Sequence, residues 1–250
     1  MSEKCQDSTV SEGKRIDNIG RTFQQKPALR KVYEDYYQEI RHLAIDGKTL
    51  EVGSASGNFS EVFSNIIHTD IVPTSLINVA ADAQRLPFRD SSFSNIIAID
   101  VIHHIEWPIY FLKEAARLLK PGGKLILLEP AITPGSWFFY KYYHVEDMDM
   151  SVDPLEKGTI NPLRDARLAN QAIATLLTGK YRFALNKEVP EFEQLDFCYL
   201  TLLAFPLSGG FRAWSLLPSW AVKPILFMER LLLPLIGRLF SFRLLISLTR

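Results

Sequence analysis

Apolar runs and polar, helix-spaced stretches alternate along the first half of this chain, and the apolar runs end in acids. The first, Thr49-Leu50-Glu51-Val52, reads as a short strand entering the turn Gly53-Ser54-Ala55-Ser56-Gly57. Ile66-Ile67-His68-Thr69-Asp70 reads as a second strand, its acid 17 residues after Gly53. A third apolar element, Val79 to Phe88, carries Asp82 and Ala83. Phe93 to Asp100 is almost continuously apolar, as a strand covered on both faces should be. From Tyr110 to Leu119 the apolar residues follow helical spacing. Lys120-Pro121-Gly122-Gly123 then interrupts, and Lys124 to Pro130 supplies a fifth strand. Ahead of these, residues 21–46 predict a helix with Tyr33, Tyr36, Tyr37, Ile40 and Leu43 on or near one face. The alternation predicts an α/β fold with a doubly wound, mostly parallel sheet.

The turn after the first strand suits a ligand. Gly53 and Gly57 let the backbone turn tightly and approach a bound molecule where a side chain would collide. Open α/β sheets bind ligands beyond the carboxyl ends of their strands. In dinucleotide sites an acid about 20 residues past the Gly-rich turn takes the ribose hydroxyls. Asp70 and Asp82 occupy such strand ends, with a solvated strand end as the plain alternative for each. For Glu51 the alternative is a buried, paired acid or a helix cap.

Together these residues resemble the class I S-adenosylmethionine-dependent methyltransferases, a Rossmann-like family. The resemblance rests on Glu51-Val52-Gly53-Ser54-Ala55-Ser56-Gly57, Asp70 and Asp82-Ala83-Gln84-Arg85-Leu86-Pro87-Phe88. It continues through Ser92-Phe93-Ser94-Asn95-Ile96-Ile97, His103-His104-Ile105 and Leu119-Lys120-Pro121-Gly122-Gly123, in order over residues 49–130. Ala55 departs from the pattern, because the family often has a glycine there; its methyl group narrows the approach to the cofactor slightly. The resemblance implies S-adenosyl-L-methionine as cofactor, with Gly53, Ser54, Ala55 and Gly57 lining it and Glu51 near its amino-acid tail. It further implies Asp70 on the ribose hydroxyls, Asp82 and Ala83 at the adenine, and Asp100 among the cofactor-binding residues.

Methyl transfer from a sulfonium is downhill, so alignment of donor and acceptor is the main requirement, worth about 7–11 kcal/mol of barrier. A hydroxyl or acidic-carbon acceptor also needs a general base, worth about 10²–10⁴-fold. His103 and His104 follow the fourth strand and are the candidate catalytic residues; packing of the strand-to-helix turn is their alternative role. A Rossmann-type NAD(P) oxidoreductase would share the turn and the acid, but Asp82-Ala83 and Leu86-Pro87-Phe88 speak against it. A cofactor-binding but inactive scaffold protein is the other alternative.

With 250 residues, 47% of them apolar, the chain can bury one substantial core. The expected organisation is a disordered N-terminus over 1–20, a methyltransferase domain over 21–210 with a lid insertion at about 133–180, and hydrophobic basic helices over 211–250. Zero formal net charge argues against a nucleic-acid partner. Cys5 and Cys198 form no metal or redox motif, and the polar N-terminus lacks an apolar signal core, which predicts a cytoplasmic protein. The insertion opens with Trp137, Phe138, Phe139, Tyr140, Tyr142 and Tyr143, an aromatic wall of the kind small-molecule pockets use. His144, Glu146, Asp147, Asp149 and Asp153 follow; most of the acids read as solvated, and no metal site is expected. The last strands are expected from residues roughly 181–206. From Phe211 onward six basic residues face one acid, Glu229, among Leu, Ile, Phe and Trp. Pro218, Pro224 and Pro234 divide this tail into short pieces. Such a segment fits helices lying in a membrane interface, where each cation adds about 1 kcal/mol on an anionic surface. A homodimer interface or packing on the sheet would also bury its leucines. The resulting expectation is methyl transfer to a small, lipid-like or membrane-borne acceptor, peripheral on the inner face of the membrane.

Overall fold

The structure is a computed structural model, and it describes residues 18, 20–54, 62–161, 164–165 and 167–250. The expectation for residues 1–20 therefore lies almost wholly outside the described residues. Seven strands form one sheet: β1 (Thr49–Val52), β2 (Ile66–Asp70), β3 (Val79–Ala80), β4 (Phe93–Ile99), β5 (Leu119–Pro130), β6 (Gln194–Leu200) and β7 (Arg243–Thr249). Their order is β3-β2-β1-β4-β5-β7-β6. All neighbouring pairs among β1 to β5 run parallel, and β7 is antiparallel to both β5 and β6. The sheet is thus doubly wound and mostly parallel, with its topological switch between β1 and β4. That is where open α/β sheets place their ligands.

Strand pleating sends alternate residues into two separate cores. Ile96, Leu125, Leu127 and Ile246 pack with α2 (Pro108–Leu118), α4 (Ile173–Thr178) and α5 (Arg182–Glu188). Ile97, Ile126, Leu128 and Leu245 pack on the other face with α1 (Pro27–Leu43), α6 (Ala204–Ser208) and α7 (Val222–Phe240). The apolar face of α1, including Leu29, Val32, Tyr36 and Ile40, is fully buried there. α3 (Pro134–Tyr142) starts at a capping box, in which Thr133 accepts the Ser136 N–H and the Ser136 hydroxyl accepts the Thr133 N–H.

The C-terminal tail differs from its sequence reading in two ways. Residues 211–250 are not helical throughout, because Arg243–Thr249 is a buried strand wedged between β5 and β6. Of the expected final strands, Gln194–Leu200 lies within 181–206 and the other comes from the chain's last residues. An apolar run beside basic residues looks alike whether it covers a membrane or completes a sheet; here β7 is buried on both faces. Nor do the prolines fragment the tail. α7 is a single helix of 19 residues, about 28 Å long. Pro224 falls in its first turn, where a missing N–H removes no helical bond, and Pro234 is accommodated in its interior.

Candidate active site

A cavity of about 560 Å³ lies at the carboxyl edge of β1, β2 and β4, within the size range of small-molecule sites. One wall is acidic, formed by Glu51, Asp70 and Asp82 with Gly53, Ser54 and Ala83. Glu51 pairs in register with His68 across β1 and β2, and His68 Nδ1 lies 2.5 Å from Glu51 Oε2. Asp70 Oδ1 accepts the Val72 N–H at 2.9 Å, and Asp82 Oδ1 accepts the Gln84 N–H at 2.8 Å. These local turns fix Asp70 at the last residue of β2 and Asp82 two residues past β3. Gly53 has φ +70°, and a Cβ there would lie 2.3 Å from Val101 Cγ2, so the turn requires glycine.

Glu51, Gly53, Ser54, Asp70, Asp82, Ala83 and Asp100, expected at the cofactor, all line this cavity, as do His103 and His104. Ala55 and Gly57 lie outside the described residues. Asp100 has a further task. It adopts φ +56°, accepts the Tyr33 hydroxyl at 3.2 Å, and pairs at 2.6 Å with Arg243 Nη1. Arg243 is one of the largest fully buried side chains, with Tyr36 and Phe205 rings 5.8 and 5.2 Å from its guanidinium carbon. Burial alone would depress its pKa, and the Asp100 carboxylate more than reverses this, holding it charged.

The facing wall carries His103 and His104, on a 3₁₀ turn over Ile102–His104, with Glu146, His144 and Gln171 from the insertion. Glu129, near the end of β5, anchors that turn. Its Oε1 accepts the N–H groups of Val101 and Ile102 at 2.8 and 2.9 Å, and its Oε2 is hydrogen-bonded to His103 Nδ1. Glu146 sits among three imidazoles, at 3.6 Å from His103 Nε2, 3.7 Å from His104 Nε2 and 3.9 Å from His144 Nδ1. It is held there by Gln171, whose Nε2 donates to its carboxylate, while the Asn170 N–H donates to the His103 carbonyl at 2.8 Å.

Electrostatics divide the two candidate histidines. Burial disfavours the His103 imidazolium, but Glu129, aided by Glu146, outweighs it and pushes the pKa up to about 10. Burial, reinforced by charged His103, lowers the pKa of His104. Glu129 thus favours the protonated form of His103 when nothing else binds its Nε2, whereas burial favours the neutral imidazole of His104 at the cavity. The same histidines outweigh burial at Glu146 and hold its carboxyl at about 2. Glu146 is thus no solvated loop acid.

Sequence reasoning missed Glu129, Glu146 and Arg243. Glu129 closes an apolar run just as Glu51 and Asp70 do, so the same pattern would have found it. Arg243 has no local signal, since only the pairing of β7 with β5 carries it to Asp100.

Residues 50–127 match a family model described as a methyltransferase domain. A ubiquinone/menaquinone biosynthesis C-methyltransferase of Neisseria gonorrhoeae is 25% identical over 159 residues, covering 49% of this chain and 63% of that protein. The 27-O-demethylrifamycin SV methyltransferase of Amycolatopsis mediterranei is 39% identical over 54 residues, 22% of this chain and 20% of its own. The chain thus spans less than two thirds of the length of these curated relatives. Among solved structures, an S-adenosylmethionine-dependent methyltransferase of Thermotoga maritima shares the fold with a TM-score of 0.56, at 17% identity, over 95% of this chain and 97% of that one. The matched stretch and the sheet topology support a class I S-adenosylmethionine-dependent methyltransferase domain. S-adenosylmethionine is the cofactor of that class, and the donor set fits it: the acidic wall offers acceptors to a molecule bearing a sulfonium, an ammonium and two ribose hydroxyls.

Proposed function

We propose that the protein transfers a methyl group from S-adenosylmethionine to a small, lipid-like acceptor drawn from a membrane surface. The observation that carries this reading is the meeting of two chemistries in one cavity, an acidic wall at the strand ends and an imidazole cluster facing it. When bound, the cofactor supplies an electrophilic methyl group. Asp70 takes its ribose hydroxyls, Glu51 stands at its amino-acid end, and Asp82 and Ala83 meet its adenine. His104 accepts the proton that an acceptor hydroxyl or acidic carbon gives up. Phe205, Phe211 and Tyr140 provide apolar lining for the acceptor.

Two observations support a lipid-like acceptor. α7 buries Val222, Leu226, Glu229 and Gly237, while Phe227, Leu231 and Leu235 on its other faces are 64%, 58% and 78% exposed. Lys223, Arg230 and Arg238 are exposed on the same helix. Its one acid, Glu229, is turned inward, accepting the N–H groups of Leu203 and Ala204. Exposed Trp214 and Trp220 precede it. No described helix is long and apolar enough to cross a membrane, so such a surface suits interfacial contact. The Neisseria relative, in addition, is named for ubiquinone/menaquinone biosynthesis.

The test incubates the full chain with methyl-labelled S-adenosylmethionine and separate lipid and water-soluble extracts. Label entering the lipid fraction is the expected result. Label entering only the water-soluble fraction overturns the acceptor class, and no labelled product in either fraction overturns the activity.

A further inference from the structure

We propose that His103, His104 and Glu146 together bind one divalent first-row metal ion of the zinc type, leaving an open coordination position toward the cavity. Their ligand atoms all lie within 4.8 Å of one another. In four-coordinate zinc, bonds of about 2.0–2.1 Å place ligand atoms roughly 3.3 Å apart. Glu146 Oε2 stands 3.6 Å from His103 Nε2, and the other carboxylate oxygen, Oε1, stands 3.7 Å from His104 Nε2. That is too long for hydrogen bonds and within a few tenths of an ångström of the edge of such a tetrahedron. The three groups converge on one point at ion-pair rather than hydrogen-bond separations, an arrangement that a cation can occupy.

The surroundings of His103 point the same way. A ligating histidine typically gives its other ring nitrogen to a carboxylate, which fixes the tautomer and aims the free lone pair at the metal. His103 does so through Nδ1 to fully buried Glu129, itself fixed by two backbone N–H groups, and a metal ion taking Nε2 would displace the proton that the neighbouring carboxylates otherwise favour there. Glu146 has comparable support from Gln171. Two imidazoles and one carboxylate, with a fourth position free, are the donor set of catalytic rather than structural zinc. His144 is not counted as a ligand, because its Nδ1 accepts the Glu146 N–H at 3.3 Å. A second grouping, Asp100 with His103 and Glu129, is already satisfied internally by Arg243 and by the His103 hydrogen bond.

Metal binding itself does not depend on the proposed methyl transfer; only the use of the open position rests on that reading. An acceptor oxygen entering it would be oriented and acidified where His104 alone would otherwise act as base, making the favoured acceptor an alcohol, phenol or enol.

The experiment titrates Co²⁺ into the chelator-stripped full chain and follows the visible absorption of low-coordinate cobalt, with Zn²⁺ as competitor. One Co²⁺ per chain, displaced by Zn²⁺, is expected. Glu146→Gln and His104→Ala should each weaken binding at least ten-fold, and Glu129→Gln, acting through His103, about 10–100-fold. His42→Ala, at an exposed histidine of α1, should change nothing. S-adenosylmethionine affinity measured on the same metal-free samples checks that each variant is folded. It also separates the two readings, since loss of the metal site leaves cofactor binding intact. Absence of stoichiometric cobalt in the parent chain, or its retention in both Glu146→Gln and His104→Ala, overturns the proposal.

Discussion

Asp100 and Arg243 provide an unusually clean double perturbation. Arg243 is almost fully buried, whereas the Asp100 side chain keeps 30% of its exposure, so the two partners stand unequally toward water. Asp100→Asn leaves a guanidinium stranded in the core, and an uncompensated buried charge costs about 3–5 kcal/mol. Asparagine tolerates the φ of +56° at this position as well as aspartate does, so no backbone strain is added. Arg243→Met leaves a carboxylate that water can still reach; its cost should be smaller, about 1–2 kcal/mol, mostly lost packing against Tyr36 and Phe205. The double variant should resemble Arg243→Met alone, which makes the coupling about 3–5 kcal/mol, the whole cost of Asp100→Asn. At about 2–4 °C per kcal/mol for a chain of this size, Asp100→Asn should lower Tm by about 6–20 °C. Urea unfolding of the four proteins measures all the terms. A cost below 1 kcal/mol for Asp100→Asn, or strictly additive costs, would refute the reasoning.

Other expectations follow from the same contacts. Gly53→Val should cost binding and stability together, since the side chain meets Val101 and the backbone is left-handed; unchanged calorimetric affinity would contradict the turn's role. Lys26 donates to the carbonyls of Gly210, Arg212 and Trp214 at 2.5, 2.8 and 2.9 Å, fastening the segment that brings Phe211 to the cavity. Lys26→Met should therefore cost about 1.5–3 kcal/mol and open that segment to limited proteolysis, and equal protease resistance would count against it. Leu231→Glu with Leu235→Glu should abolish sedimentation with anionic vesicles while stability stays within about 0.5 kcal/mol, as exposed positions allow. Parent chain remaining in the supernatant at low salt would defeat the membrane reading.

Half of the site was legible because it is local. Each acid of the acidic wall lies within two residues of the end of its own strand, so hydrophobic pattern and turn chemistry mark Glu51, Asp70 and Asp82 without reference to the rest of the chain. The facing wall is assembled across distance. Glu146 looks like one loop acid among several until Gln171 and the His103 carbonyl draw its segment over the histidines. Arg243 opens an apolar stretch whose sequence reads equally well as an interfacial helix. Only the vacancy beside β5, filled by no nearer strand, makes it β7. Proline misled for a related reason: its cost depends on position, and Pro224 lies in the first helical turn, where that cost vanishes.

The most direct test of the account is calorimetric titration of S-adenosylmethionine into the full chain and into Asp70→Ala and Asp82→Ala. One site per parent chain is predicted, with each substitution weakening it by about 1–3 kcal/mol, roughly 5–150-fold, because partners of the ligand are left unpaired. No binding by the parent chain, or full affinity in both variants, would contradict the placement of the cofactor at the carboxyl edge of β1 and β2.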